Sequence, residues 1–331
     1  MSRVIDLHCH RECGRAAELM KAEADDAGRV PLSFGNELTK ETNRRQLAEI
    51  RPKMESLEAR LADMDRMGVD IQAIAIAPYQ TYYWADPELA GQVARTINDD
   101  LAEAVSRYPD RFVGLGTVPL QDEKAAVEEL RRCMDQLDFK GLEIGTNVEG
   151  EELSAPRLDP FWEAVEETGA VVFVHPTGFT QPQRLTEHYF FNLIGHPIEN
   201  TLAIANLIFG GTMERFPAVK IVVAHGGGYL PAYAGRMDHA YHARPDVSDG
   251  LPKPPSEYLR RFYFDTMVFE PDQLVFLVEK YGADHVVLGT DYPYDMGEGD
   301  PVGLVSRTGL APEQQAAICG GNAARLMGIP L

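Results

Sequence analysis

The chain has 331 residues, 44% of them hydrophobic, and its 51 acids against 31 bases give a net charge of −20. That balance excludes nucleic acid and anionic membrane as main partners, since both reward a basic surface; a small anionic ligand is compatible only where a metal ion and a few arginines reverse the field locally. No low-complexity tract is present and no apolar run is long enough to cross a bilayer, the best of them, around Thr201 to Phe209, being broken by Gly210-Gly211.

In chain order, Val4-Ile5-Asp6-Leu7-His8-Cys9-His10 reads as a buried strand that ends at a polar site. Side chains alternate along a strand, so His8 and His10 share a face and Cys9 takes the other as a small buried hydrophobe. Two imidazoles so placed suit a divalent metal; two unrelated surface histidines are the alternative. Residues 11 to 50 are charged, contain glycine and lack clean periodicity, so they read as a long loop insertion over one end of the fold. The spacing of Met54, Leu57, Leu61, Met64 and Met67 predicts a helix over 52–67, opened by Pro52 and stopped by Gly68.

The pattern then repeats. Strand-length apolar runs at 71–78, 111–119, 141–147, 170–175, 220–225, 262–265 and 286–291 alternate with amphipathic stretches at 86–107, 122–137, 159–168, 198–215, 230–241 and 271–281, and a helix over 312–327 follows the last strand. Short buried strands separated by helices imply parallel pairing with right-handed crossovers, and eight such units fit an α/β fold of the (β/α)8 TIM barrel class. An open doubly wound sheet is disfavoured because no Gly-x-Gly-x-x-Gly follows the first strand. A single domain over 1–331 is expected, with 11–50 running over the barrel mouth.

In a barrel the active site lies at the C-terminal strand ends. His8 and His10 end strand one, His175 strand five, His225 strand six and Asp291 strand eight, so four histidines and one aspartate converge on one rim. His8, His10, His175 and Asp291 offer three nitrogens and a carboxylate, a set suited to zinc, with manganese, iron or cobalt feasible. His225 is then the natural general acid or base, and Asp291 can also accept a hydrogen bond from it. The remaining histidines, His188, His196, His239, His242 and His285, fall on helices or loops and read as structural or solvated, although His188 and His196 could approach the mouth. Glycines 226 to 228 allow a tight turn beside His225.

Several segments together resemble one family. Besides Asp6-Leu7-His8-Cys9-His10 they are Asn98-Asp99-Asp100-Leu101, the run from Tyr108 to Thr117, Phe173-Val174-His175-Pro176, Ala224-His225-Gly226-Gly227-Gly228, Gly235-Arg236-Met237-Asp238-His239 and Leu288-Gly289-Thr290-Asp291-Tyr292-Pro293. In order and spacing they resemble the amidohydrolase superfamily, in particular its branch of metal-dependent decarboxylases that includes 2-amino-3-carboxymuconate 6-semialdehyde decarboxylase. The resemblance implies His8, His10, His175 and Asp291 as ligands of one divalent metal and His225 as the catalytic acid/base. It implies that Arg236 is lent across a homodimer interface to a substrate carboxylate, with an ion pair to Asp238 as the alternative, and that Tyr294 lies against the substrate. The end of strand four bridges a second metal in some members; Glu143 stands short of the strand tip, so contact with the substrate or support of a ligand is the reading preferred to a bridge.

Two departures bear on the substrate. The family's decarboxylase carries a tryptophan after the histidine-proline pair, where this chain has Thr177-Gly178, and its first loop holds an arginine that cannot be aligned here, Arg44, Arg45 and Arg51 being candidates. The expectation is a nonoxidative decarboxylase of an aromatic or ring-opened unsaturated carboxylic acid, needing no organic cofactor. A metal-dependent hydrolase on the same residues is the alternative, and a catalytically silent scaffold is disfavoured because the residue set is complete. Four scattered cysteines (Cys9, Cys13, Cys133, Cys319) and the lack of a secretory signal ahead of strand one lead to an expected reduced, cytoplasmic setting.

Overall fold

In the computed structural model, which describes residues 3–24 and 34–330, eight short strands pair in parallel and in chain order. They are β1 (Ile5–Arg11), β2 (Ile71–Ile76), β3 (Phe112–Gly116), β4 (Gly141–Ile144), β5 (Val171–Val174), β6 (Lys220–Val223), β7 (Tyr263–Asp265) and β8 (Val286–Val287). The ring closes where the chain beyond β8 runs beside β1. There Leu7 N donates to Leu288 O at 2.9 Å, Asp291 N to His8 O at 2.8 Å, and His10 N to Tyr292 O at 2.8 Å. This is the expected (β/α)8 barrel.

Alternation along the strands sets what faces each layer. On β5, Val172 and Val174 join the cluster that packs the helices on the barrel, whereas the Phe173 ring lies 4.9 Å from that of His8 in the interior. Near the chain's end, Ala323, Ala324, Leu326 and Met327 share one buried cluster with Ile5, Leu7 and Val287, packing the C-terminal helix across the closure.

Two elements differ from expectation. Pro52 does not open a helix: it lies inside one spanning Glu37–Glu55, and the next, Leu57–Met67, starts after Ser56, whose hydroxyl accepts from Ala59 N at 3.2 Å. The first-turn preference of proline misled here, because a late proline can occupy a helix whose last turns lie at the surface. The excursion after β1 is accordingly helical over much of its described length, with further helices at Gly14–Leu19 and Lys21–Ala24; residues 25–33 of it lie outside the described residues. Ile50 and Met54 of the long helix pack with Ala77, Tyr79 and Tyr294, which brings that helix onto the barrel rim. The stretch predicted as one helix over 198–215 is two, His196–Phe209 and Thr212–Arg215, divided at Gly211 with φ of 76°. Among the described residues no helix is long and apolar enough to cross a membrane.

Candidate metal centre and active site

His8, His10, His175 and Asp291 come together as the sequence places them, each buried, with one ligand atom apiece all within 4.8 Å of one another. Both β1 histidines are oriented from behind. His8 Nδ1 meets Asp265 Oδ2 at 2.6 Å and His10 Nδ1 meets the Ile76 carbonyl at 3.1 Å. Those partners are acceptors, so both rings carry hydrogen on Nδ1 and turn Nε2 lone pairs inward. The two Nε2 atoms face each other at 3.1 Å, and Asp291 Oδ1 stands 3.3 Å from one and 3.2 Å from the other. Both nitrogens of His175 and Oδ1 of Asp291 are buried without a hydrogen-bond partner. Lone pairs converging in a closed space repel unless a cation lies among them. The donors therefore fit one divalent ion, which would satisfy Asp291 Oδ1 and one of the two His175 nitrogens.

The electrostatics agree. Burial works to push the His8 imidazole down, yet Asp291 and Asp265 together lift it to about 10, so a proton and a metal ion compete for its Nε2. Burial likewise opposes the Asp291 carboxylate, but His8, His10 and His225 hold it well below the usual range. His10 and His175 are pushed down, chiefly by burial, and so stay neutral as ligands require.

His225 follows β6 at a φ of 55°, with Nε2 3.9 Å from Asp291 Oδ2. Asp265 holds this turn too: its Oδ2 accepts from His225 N at 3.0 Å and its Oδ1 from Gly226 N at 2.8 Å. Gly228, at φ of 66°, leaves no room for a Cβ, which would run into the Pro197 carbonyl. The glycine run thus seats the His196–Phe209 helix against the histidine.

The other expected residues divide. Tyr294 lines a cavity of about 80 Å³ with His175 and Asp291, its ring 5.4 Å from that of His10 and its buried hydroxyl without a partner. Glu143 is buried beside the ligands, Oε2 3.5 Å from His10 Nδ1, and burial pushes its carboxyl well above the usual range. Arg236 is not brought to this cluster. It is exposed on the helix Leu230–Ala243 and, among the described residues, makes no ion pair; Asp238 instead accepts from Ser256 N at 3.0 Å. A larger cavity of about 550 Å³ opens beside Asp291 and His225, walled by Tyr229, Tyr233, Phe269 and Phe276. His196 lines both cavities, its ring stacked on that of His225 at 5.9 Å, so it reaches the mouth rather than lying in solvent.

Asp265 and Asn200 carry structure at the site that the sequence reading did not assign. Asp265 ends β7 as the other polar residues end their strands, and that placement was a usable signal. Asn200, buried in mid-helix, carries none.

Over residues 5–329 the sequence matches the amidohydrolase family. A curated relative, the 2-amino-3-carboxymuconate-6-semialdehyde decarboxylase of Dictyostelium discoideum, is 39% identical over 274 residues, spanning 82% of this chain and 76% of the relative. The crystal structure of 5-carboxyvanillate decarboxylase from Sphingomonas paucimobilis matches with a TM-score of 0.88 at 27% identity, covering 100% of both chains. A 5-carboxyvanillate decarboxylase of Novosphingobium aromaticivorans, solved with manganese and 4-hydroxy-3-methoxy-5-nitrobenzoic acid, shares the fold at a TM-score of 0.85 and 24% identity over 99% of this chain and 96% of that one.

Proposed function

The chain belongs to the amidohydrolase family, and from that membership and its site we propose a metal-dependent nonoxidative decarboxylase acting on an aromatic or ring-opened unsaturated carboxylic acid. The observation that carries this reading is the complete His8, His10, His175 and Asp291 cluster with His225 beside it, where His175, Asp291 and His225 reach cavities that also present tyrosine and phenylalanine rings. Relatives named for decarboxylation of such acids support it.

His8, His10, His175 and Asp291 would hold the ion, with zinc the first choice for three imidazoles and one carboxylate and manganese, present in a relative's structure, the second. When bound, the ion supplies fixed positive charge that orients an anionic oxygen of the substrate and draws electron density from the conjugated system. The chain's own residues do the rest. Tyr294 offers its unpartnered hydroxyl to the substrate from the wall of the inner cavity. Glu143 stays behind His10 as support or a further polar contact. One proton, drawn from water, must reach the carbon that bears the carboxylate, and Asp291 with the His225 Nε2–H beside it is placed to relay it. The carbon–carbon bond then breaks, carbon dioxide leaves, and the electron pair restores conjugation, so no organic cofactor is called for.

Arg236 would clamp a substrate carboxylate in the site of a second copy of the chain, a role suited to a guanidinium. What supports a homodimer is the exposed apolar cluster along the same face, with Tyr233 59%, Phe269 42% and Phe276 39% exposed. The four unpaired cysteines are compatible with a reduced, cytoplasmic setting.

The test is a panel of aromatic and muconate-type acids incubated with chelator-stripped protein reloaded with zinc or manganese, with ester and lactone substrates alongside. Carbon dioxide release that depends on reloading is expected. Hydrolysis of esters or lactones with no carbon dioxide from any acid would overturn the reading.

A further inference from the structure

Among the described residues, the His225 ring has one hydrogen-bond partner other than acids and histidines, the buried side chain of Asn200. Asn200 Nδ2 lies 3.1 Å from His225 Nδ1 and, in the same position, 2.8 Å from the carbonyl oxygen of Ala224. Which end of the amide faces the ring is decided by that carbonyl. Turned over, Asn200 would press its own oxygen against the Ala224 oxygen; as it stands, nitrogen donates to oxygen. The orientation leaves Asn200 Oδ1 buried without a partner, so the amide is held against a cost, by its neighbours rather than by its own preference. An amide nitrogen has hydrogens and no lone pair to share. The ring nitrogen facing it must therefore be the acceptor, and the hydrogen of the neutral imidazole sits on Nε2, the atom that points toward Asp291 and the larger cavity.

We infer that Asn200 is a positioning residue that sets the tautomer of His225, so that the ring meets the substrate as an Nε2–H hydrogen-bond donor to an anionic oxygen. The chain of cause runs from the Ala224 carbonyl through the Asn200 amide to the imidazole. It separates two chemistries that share this site. A hydrolytic reaction that used His225 as its base would need a lone pair on Nε2 to take a proton from water, and this tautomer has none there. Holding a carboxylate or phenolate oxygen of a substrate about to lose carbon dioxide needs the hydrogen that is present. The inference rests on the decarboxylase reading for its substrate, but the tautomer itself does not.

Asn200→Asp places an acceptor opposite Nδ1, at the cost of an oxygen facing the Ala224 carbonyl. The readout is side-chain nitrogen-15 NMR of histidine-labelled, zinc-loaded protein without substrate, His225 being assigned by its loss in His225→Asn. The unsubstituted protein is expected to show His225 with hydrogen on Nε2, and Asn200→Asp to move it to Nδ1. Zinc content should stay unchanged, while kcat/KM for carbon dioxide release falls by roughly 100-fold, the scale of one lost donor to a developing charge. Asn200→Ala, which removes the donor without adding an acceptor, guards against misfolding of the aspartate variant and should give a mixture of the two tautomers. Hydrogen on Nδ1 in the unsubstituted protein, or a tautomer that neither variant moves, would overturn the inference. Absence of carbon dioxide release beside an Nε2–H ring would instead strike the decarboxylase reading and leave the tautomer assignment standing.

Discussion

Asp265 touches nothing that reacts, yet it holds both halves of the site. One carboxylate fixes the His8 ring at 2.6 Å and also accepts from the backbone N–H groups of His225, Gly226 and Met267. An amide at this position keeps the shape and loses the charge that favours hydrogen on His8 Nδ1. Asp265→Asn is therefore expected to fold and to lose metal affinity by roughly 10- to 100-fold, as for other groups that orient a metal-bound histidine; competition with a zinc indicator dye measures it, and unchanged affinity would refute the role. At this scale the sequence was legible where residues stood at strand ends, as His8, His10, His175 and Asp291 do. Asn200 was not legible, because its meaning comes from a carbonyl and a ring on another element, which helical spacing does not reveal. Arg236 was legible only through family resemblance, since among the described residues nothing pairs with it.

The helices that carry the rim were read less well than the strands. The helix Glu37–Glu55 buries only Asn43, Ile50 and Met54, so its apolar stripe is too thin to stand out among charges, and its residues looked like a loop. Strand boundaries were read long, because the chain runs on beside its neighbour past the assigned strand, as from Leu288 to Asp291, which still bonds to β1. One helix does more than pack. From Leu57–Met67, Arg60 reaches fully buried beneath β1, donating to the His10 carbonyl and, at 3.0 Å, to Gln72 Oε1, with its guanidinium 4.8 Å from the Tyr292 ring. Gln72 passes the support on to Asp6 Oδ2 at 2.9 Å. Arg60→Leu strands these two acceptors, and each buried group left unpaired costs about 1–3 kcal/mol. Urea denaturation should register a loss of that order, with metal affinity falling as the His10 backbone loosens; a variant as stable as the parent would show the network to be dispensable.

For the molecule as a whole, a net charge of −20 and an anionic substrate are reconciled by concentrating positive charge at one place. The metal supplies part of it, and the proposed homodimer adds Arg236 from the neighbouring copy. Co-expression of Arg236→Ala with His225→Asn tests this directly. In mixed dimers one site would regain both groups, so random pairing should restore about a quarter of full activity from two inactive variants. No recovery, with mixed dimers verified by tag capture, would place the arginine's role within its own subunit or nowhere.

The barrel seam has a consequence for how such a chain comes into being. His8 and His10 lie on the first strand and Asp291 just past the last, hydrogen-bonded to the His8 carbonyl across the closure. A ribosome releases the first two ligands long before the fourth exists, and contacts of such sequence separation form late because the loop that joins them is costly to close. Metal capture is thus a sign of a finished circle: an ion held by all four ligands certifies that the final strand has found the first, and clasps the two ends of the barrel together.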